Sequence, residues 1–452
     1  MRDFARSDSA AVQAQLDRLG ALSVPQGRLG LETIRALLAR LGDPHKRLPP
    51  VFHVAGTNGK GSTCAFLRAM LEAEGYRVHA TTSPHLVRYN ERIRVAGELI
   101  SDERLAALLA EVLDAGEDLN PSFFEVTIAA AFTEFARVQA DACVVEVGLG
   151  GRFDATNVLE PDVLAVCGIA ALGIDHERFL LAPESGVPVE PLARIAFEKA
   201  GITKPGMPLV TMTYPPIAEV EIERVATRQG SPLAKMGRQW EAVVDETRLR
   251  YEDERGAVDL PLPALRGAHQ GSNAALAVAM LRHQATIEVS IPSMVRGIRA
   301  TRWPARLHVL SPGPLTARLP DCRWLLDGGH NAQAADALAD HFASAAPTPR
   351  HAIIGMLEAK DWRALIDRIA ASLSTLIAIP VPGHEFAPPV EMAAYAKTRG
   401  IAVTGTAGSV EEAVEWLGRS QRDVEPLYGE VFIGGSLYLA GEVLQLNGEL
   451  PD

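Results

Sequence analysis

The chain has 452 residues, 47% of them hydrophobic and 22% charged, which is ordinary usage for a globular protein of roughly two or three domains. Its net charge of −12 argues against a nucleic-acid partner, because a phosphate backbone demands concentrated Lys and Arg. It leaves room for small anionic substrates held by a few local cations and a metal.

The N-terminal segment Met1–Gly20 is polar, reads as a helix and has no apolar h-region, so it is not a signal peptide. No run of eighteen apolar residues follows, which predicts no membrane span. Cys64, Cys143, Cys167 and Cys322 are far apart and form no CxxC pair. They read as buried thiols in a reducing compartment rather than as zinc ligands or disulfides. A cytoplasmic monomer is expected.

Leu31, Ile34, Leu37, Leu38 and Leu41 have helical spacing. The apolar run Val51–Ala55 reads as a strand, then comes a glycine-rich turn, then a helix from Ser62 to about Gly75. Further strands are expected at Tyr76–Thr81, Ala142–Val147, Val163–Gly168 and Pro208–Met212, with helical patterns between most of them. That alternation predicts a mostly parallel α/β sheet. The charged, alternating residues 235–262 predict antiparallel strands at an edge of this domain. A helix is expected over His269–His283, and Trp303-Pro304-Ala305-Arg306 reads as a hinge.

A second alternating series follows. Its expected strands are Trp324–Leu326, Ala352–Gly355, Leu376–Ile379, Ile401–Val403 and Val431–Gly434. Its expected helices are Ala332–Ala343, Trp362–Ser372, Pro389–Lys397, Val410–Leu417 and Leu437–Leu446. The division is therefore 1–303 and 304–452, and a cleft between two α/β domains is a common place for a ligand.

The strongest motif is His53-Val54-Ala55-Gly56-Thr57-Asn58-Gly59-Lys60-Gly61-Ser62-Thr63. A strand, a glycine-rich turn, a lysine, a hydroxyl and a helix are the parts of a phosphate-binding loop. The helix N-terminus adds positive potential, Lys60 a mobile cation, and Ser62 a hydroxyl for phosphate or magnesium. Gly61 departs from the usual GxxxxGK[ST] spacing by separating lysine from hydroxyl. Glu146 follows an apolar strand, at the edge where open α/β sheets place ligands. On its own it fits a magnesium ligand and a cap for the following glycines equally well. Arg152, after Gly150 and Gly151, has the chemistry to clamp a phosphate or carboxylate.

HVAGTNGKGS looks like the nucleotide loop of the Mur ligase superfamily. It resembles most closely the folylpolyglutamate synthases, including the bifunctional bacterial enzymes. Thr82-Ser83-Pro84-His85-Leu86, Asn90-Glu91-Arg92-Ile93, Phe123-Phe124-Glu125, Glu146 to Asn157, Glu198-Lys199-Ala200-Gly201-Ile202 and Asp327-Gly328-Gly329-His330-Asn331 continue that resemblance from about Gly30 to Gly441. It implies a P-loop ATPase-like, ATP-binding central domain with the folate site (1–303) and a smaller Rossmann-like, glutamate-ligase domain (304–452).

The resemblance further implies an ATP-dependent ligase that joins L-glutamate to dihydropteroate and reduced folates. Catalytic roles would fall to Lys60, Lys199, His176 and Arg152. ATP would be held by Thr57, Asn58, Gly59, Lys60, Gly61, Ser62, Asn273, Arg306 and Asp327. From residue type alone, the last three read as a helix-face amide, a linker cation and a strand-end acid. The acceptor would meet Ser122, Phe123, Phe124, Glu125, Phe153, Asp154, Ala155 and His330. Two magnesium ions would draw on Ser83, Glu146, His176 and Lys199, the last as an N-carboxylysine, with room for a monovalent cation. Composition alone makes Lys199 a solvated lysine at a helix end. The stretch after His176, Glu177-Arg178-Phe179-Leu180-Leu181, replaces the Leu-Gly usual in that family, and the distance to Glu198 is longer. A muropeptide ligase and a nucleotide switch without ligase chemistry are the competing readings. Ser83-Pro84-His85-Leu86 and Phe123-Phe124-Glu125 argue against the first.

Overall fold

The computed structural model describes residues 6–22, 30–419 and 427–451. They form two compact units. One holds the described residues up to Ala264 together with His269–Arg302, and the other holds Leu265–Ala268 and the described residues from Trp303 onward. Met1–Ala5, the start of the polar N-terminal segment, lie outside the described residues. The helix read there begins at Ala10, where Ser9 Oγ accepts the amide of Val12.

The first unit is built on an eight-stranded sheet. Its strands are β1 (Val51–Ala55), β2 (Val78–Thr81), β3 (Ile93–Val95), β4 (Glu98–Leu99), β5 (Ala142–Glu146), β6 (Leu164–Ile169), β7 (Leu209–Thr211) and β8 (Leu233–Lys235), in the order β4-β3-β2-β5-β1-β6-β7-β8. Pairing is parallel except for β2–β3 and β3–β4. All residues of β1 and β5 are buried. That is why those strands read as continuous apolar runs rather than alternating ones: both faces of a parallel sheet are covered.

The helices of this unit are α1 (Ala10–Ala21), α2 (Glu32–Arg40), α3 (Lys60–Glu74), α4 (Asp102–Gly116), α5 (Phe123–Arg137), α6 (Glu177–Leu180), α7 (Pro191–Ala200), α8 (Pro216–Gln229), α9 (Ala268–Arg282) and α10 (Ile291–Ala300). Helix α7 starts sharply because Pro191 occupies its first turn and Glu190 accepts the amide of Ala193 at 2.6 Å. The core gathers Leu37, Val112, Phe132, Val145, Ile169 and Ile195 from helices and sheet alike. All four cysteines are buried and free.

Residues 235–262 do form antiparallel strands, β9 (Trp240–Val244), β10 (Arg248–Asp253) and β11 (Gly256–Pro261), but as a separate three-stranded sheet rather than an edge of the large one. Leu249 and Tyr251 are the buried alternate residues of β10, and Tyr251 stacks on Trp240 with centroids 5.8 Å apart. Arg282 of α9 pairs with Asp253, which fastens this sheet to the helix that carries Asn273.

The second unit has a six-stranded sheet of β12 (His308–Val309), β13 (Cys322–Asp327), β14 (Arg350–Ile354), β15 (Thr375–Ala378), β16 (Val403–Thr406) and β17 (Gly429–Gly434), ordered β12-β13-β17-β14-β15-β16. Only the two-residue β12 is antiparallel. Helices α11 (Ala332–Ser344), α12 (Trp362–Ile369), α13 (Pro389–Thr398), α14 (Val410–Arg419) and α15 (Leu437–Asn447) complete it. The hinge residues adopt unusual backbone: Ala305 and Leu307 have φ of 56° and 46°. No helix among the described residues is long and apolar enough to cross a membrane.

Candidate active site

Four adjacent strands, β2, β5, β1 and β6, deliver the expected site residues to one edge of the large sheet. Beyond β1, residues 56–59 make the turn and α3 begins at Lys60, two residues earlier than expected. Lys60, Gly61 and Ser62 are therefore its first turn, where unpaired amides and the helix dipole favour an anion. Gly59 has φ 81°, and a Cβ there would lie 2.3 Å from Asn273 Oδ1. Asn273 thus sits directly against the turn, and its Nδ2 donates to Gln270 Oε1 at 3.0 Å.

The loop is tied to the segment after β6. The amides of Thr57 and Asn58 donate to the carbonyl of Ala171 at 2.8 and 3.2 Å. Thr57 Oγ1 donates to the carbonyl of Gly173 at 2.8 Å and accepts its amide at 3.1 Å. The Thr57 side chain is therefore an anchor of the loop. Lys60 Nζ rests on the carbonyl of Thr57 at 3.3 Å.

Ser83 follows β2 and Glu146 ends β5, its immediate neighbour. The Ser83 amide donates to Glu146 Oε2 at 3.1 Å, and Glu146 is 5% exposed. A buried carboxylate bonded to the backbone of a serine brings two residues with hard oxygen donors together, a chemistry that fits magnesium. Past β6, His176 has φ 54° and its amide donates to Asp175 Oδ1 at 2.7 Å. Lys199 lies in the last turn of α7, 4% exposed. Burial brings its amine down to about 7; Lys60 adds to the effect, while Asp175, Asp154 and Glu198 oppose it. Among the described residues, no three His, Cys, Asp or Glu side chains gather around one metal position. Of the expected ligands, Ser83 and Glu146 are joined by a backbone hydrogen bond.

The glycine-rich loop after β5 packs against α5. A Cβ on Gly148 would sit 2.5 Å from Phe124 Cζ, so the ring lies on the loop backbone. Phe123 turns its edge to Tyr89 instead, at 5.6 Å between centroids. Three residues expected at the acceptor turn out to hold the scaffold. Ser122 and Glu125 form a capping box at the start of α5: Ser122 Oγ accepts the Glu125 amide at 3.2 Å, and Glu125 Oε2 accepts the Ser122 amide at 2.7 Å. Asp154 is buried with its carboxylate accepting from the amides of Leu149 and Thr156 and from Thr156 Oγ1, at 2.8, 3.0 and 2.6 Å. His53 joins this group through Thr156 Oγ1 at 2.8 Å. Ala155 is buried beside it.

Arg152 is engaged by two acids of the same unit. Its guanidinium donates to both oxygens of Glu184 at 3.1 and 2.6 Å and of Glu198 at 2.8 and 3.2 Å. Those bonds, with Arg194 on the same two acids, hold Glu184 at about 2, well below the usual carboxylate range. A guanidinium so engaged positions its neighbours. Gln270, Glu184 and Arg194 are contributors that sequence reading missed. Only the i, i+3 spacing of Gln270 and Asn273 on one helix face was there to be found.

In the second unit Asp327 ends β13. Its carboxylate accepts the amides of Leu307 at 2.8 Å and Gly329 at 2.7 Å, so it shapes the turn as well as the hinge. Arg306 donates to the carbonyl of Ala305 at 2.8 Å. His330 follows in the turn, and Asn331 caps α11 by accepting the Ala334 amide at 3.0 Å.

Residues 316–446 match the family described as dihydrofolate synthetase, C-terminal domain. The dihydrofolate synthase/folylpolyglutamate synthase of Bacillus subtilis (strain 168) is 36% identical over 75% of this chain and 78% of its own length. A structure of E. coli FolC in complex with DHPP and ADP superposes with a TM-score of 0.83 at 30% identity, covering 98% of this chain and 99% of the other. A bifunctional folylpolyglutamate synthase/dihydrofolate synthase with Mn, AMPPNP and L-glutamate bound gives a TM-score of 0.81 at 28% identity, with 98% and 99% coverage.

Proposed function

The chain belongs to the dihydrofolate synthase/folylpolyglutamate synthase family, and we propose that it ligates L-glutamate to dihydropteroate and to glutamylated folates at the cost of ATP, through an acyl phosphate. The observation that carries the reading is the convergence at one sheet edge. A phosphate loop after β1, the Ser83–Glu146 pair after β2 and β5, and the Asp175–His176 turn after β6 come together there, with buried Lys199 close enough to sense Lys60 and Asp175.

A free carboxylate lacks a leaving group. Transfer of the γ-phosphoryl of ATP to the acceptor's carboxylate gives an acyl phosphate and ADP. The amine of L-glutamate then attacks the carbonyl carbon and loses a proton, and the C–O bond to phosphate breaks to leave the amide and inorganic phosphate. Catalysis of phosphoryl transfer is mostly positioning and charge neutralisation. Lys60 and the first-turn amides of α3 serve that purpose at the phosphates, and Asn273 braces the turn that carries them. Phe124 and Phe153 would flank the aromatic part of the acceptor.

Magnesium would be held by Ser83 and Glu146, with an N-carboxylated Lys199 joining His176 and Glu146 around a second ion, and would supply positive charge at the phosphoryl oxygens. Carboxylation needs a neutral amine, which attacks carbon dioxide and releases a proton. Burial that brings Lys199 to about 7 leaves much of that amine neutral in neutral solution.

Product analysis tests the reading. Incubation with ATP, magnesium and L-glutamate should yield a monoglutamylated product from dihydropteroate and a lengthened chain from a reduced folate. ATP consumption without either amide would refute it.

A further inference from the structure

The buried acids and arginines around Arg152 bear on Phe153. The Arg152 guanidinium lies 4.1 Å from the centroid of Phe153 and 4.8 Å from that of Phe197, so it is held between two rings. Its edges are clamped by two acids that both follow it in the chain, Glu184 from the segment after His176 and Glu198 from α7. Arg194, 6% exposed at its side chain, bonds the same two acids at 2.8 and 3.1 Å. Two cations and two anions make a balanced set in a place too dry to leave either sign alone.

Glu184 comes from the segment after His176, the stretch that departs from the pattern of the resembled family. That segment is itself fastened: Arg194 Nε donates to the carbonyl of Leu180 at 3.0 Å, and Leu180 packs over Gly150. We propose that Glu184 is a positioning residue for the acceptor, acting through Arg152 to hold the ring of Phe153 in place. The inference rests on the reading that Phe153 faces the acceptor.

Without the Glu184 charge, Arg152 and Arg194 share one carboxylate, and the excess positive charge pulls the Arg152 side chain toward solvent. The cation–π contact that fixes the Phe153 ring weakens with it. Glu184→Gln should raise the KM for the pteroyl acceptor about tenfold, the size of one lost packing contact in a specificity pocket. The KM for ATP and kcat should stay within about twofold. Glu184→Asp, which keeps the charge, should recover part of the loss. General loosening of the fold would move all three constants together and would not respond to the retained charge.

Should Glu184→Gln not fold, Glu184→Gln with Arg194→Met balances the charge but still leaves Arg152 Nη1 without the carboxylate that holds it, so the guanidinium is fixed along one edge only and the acceptor KM should still be raised. A wild-type acceptor KM in whichever variant folds would overturn the inference. Phe153→Ala separates the two levels. An unchanged acceptor KM there would overturn the acceptor reading and the inference together. A raised one beside an unchanged Glu184→Gln would overturn the inference alone.

Discussion

Lys199 is 4% exposed at the end of a helix, where burial brings its amine to about 7. A lysine at a helix C-terminus is ordinarily solvated, and no periodicity marks this one as different; only the packing of α7 against the loop after β5 makes it so. Lys199→Ala should lose most ligation, and a short carboxylate in the buffer should restore part of it by standing in for the carbamate. A fully active variant would contradict the role. Lys60→Ala should abolish turnover in a folded protein, because it removes the cation from the phosphates; near-normal turnover would remove the phosphate-loop reading. His53 makes a different kind of prediction. Burial pushes its imidazole down to about 3, below the usual 6.5. The folded state thus keeps it neutral while the unfolded chain takes up a proton as pH falls through 6.5. Its contribution to stability is complete above 6.5 and is lost between 6.5 and 3, at about 1.4 kcal/mol per pH unit. Denaturant titrations should show His53→Gln with a shallower fall in stability over that window than the wild type; equal slopes would contradict the buried, neutral assignment.

The helix starts decide how the site side chains are presented. Ser122 and Glu125 spell the S-x-x-E capping box ahead of an apolar run, a signal present in the sequence and read there as substrate contact because the resemblance spoke louder. Ser122→Ala should cost about 1 kcal/mol of stability, measured by denaturant unfolding, and should raise acceptor KM through Phe124, which is the next residue but one. Helix α3 begins at Lys60 rather than Ser62 because the chain turns at Gly59, in the left-handed region, and no side chain caps its first amides, which are left for an anion. The long elements were legible because their apolar spacing is sustained over several turns or a whole strand. Strands β3, β4, β8 and β12 are only two or three residues long, too short to show a period of two, and went unread. The small sheet β9–β11 was legible as antiparallel but not as separate. Its independence depends on Trp240, Tyr251 and the Arg282–Asp253 pair, contacts made by tertiary packing.

The chain follows the alternation that its sequence shows, in two α/β units, the second holding Leu265–Ala268 as well as the described residues from Trp303 onward. The site is legible only in part. The glycine-rich turn between β1 and α3 and the place of Glu146 at the end of β5 were readable because each is a local pattern at a strand end. The Arg152 cluster was not, since its partners stand 32 and 46 residues away along the chain and no local spacing reports such a contact. Nor does residue type mark Asp154 as an internal loop brace; burial and its hydrogen bonds do. Removing residues 303–452 would delete Arg306, Asp327 and His330, and the shortened chain should not ligate glutamate; full activity from it would show those residues dispensable. The acyl phosphate is tested most directly by oxygen tracing. With oxygen-18 in the acceptor's carboxylate, one labelled oxygen should appear in the inorganic phosphate released for each amide formed. Unlabelled phosphate accompanying productive ligation would contradict the account.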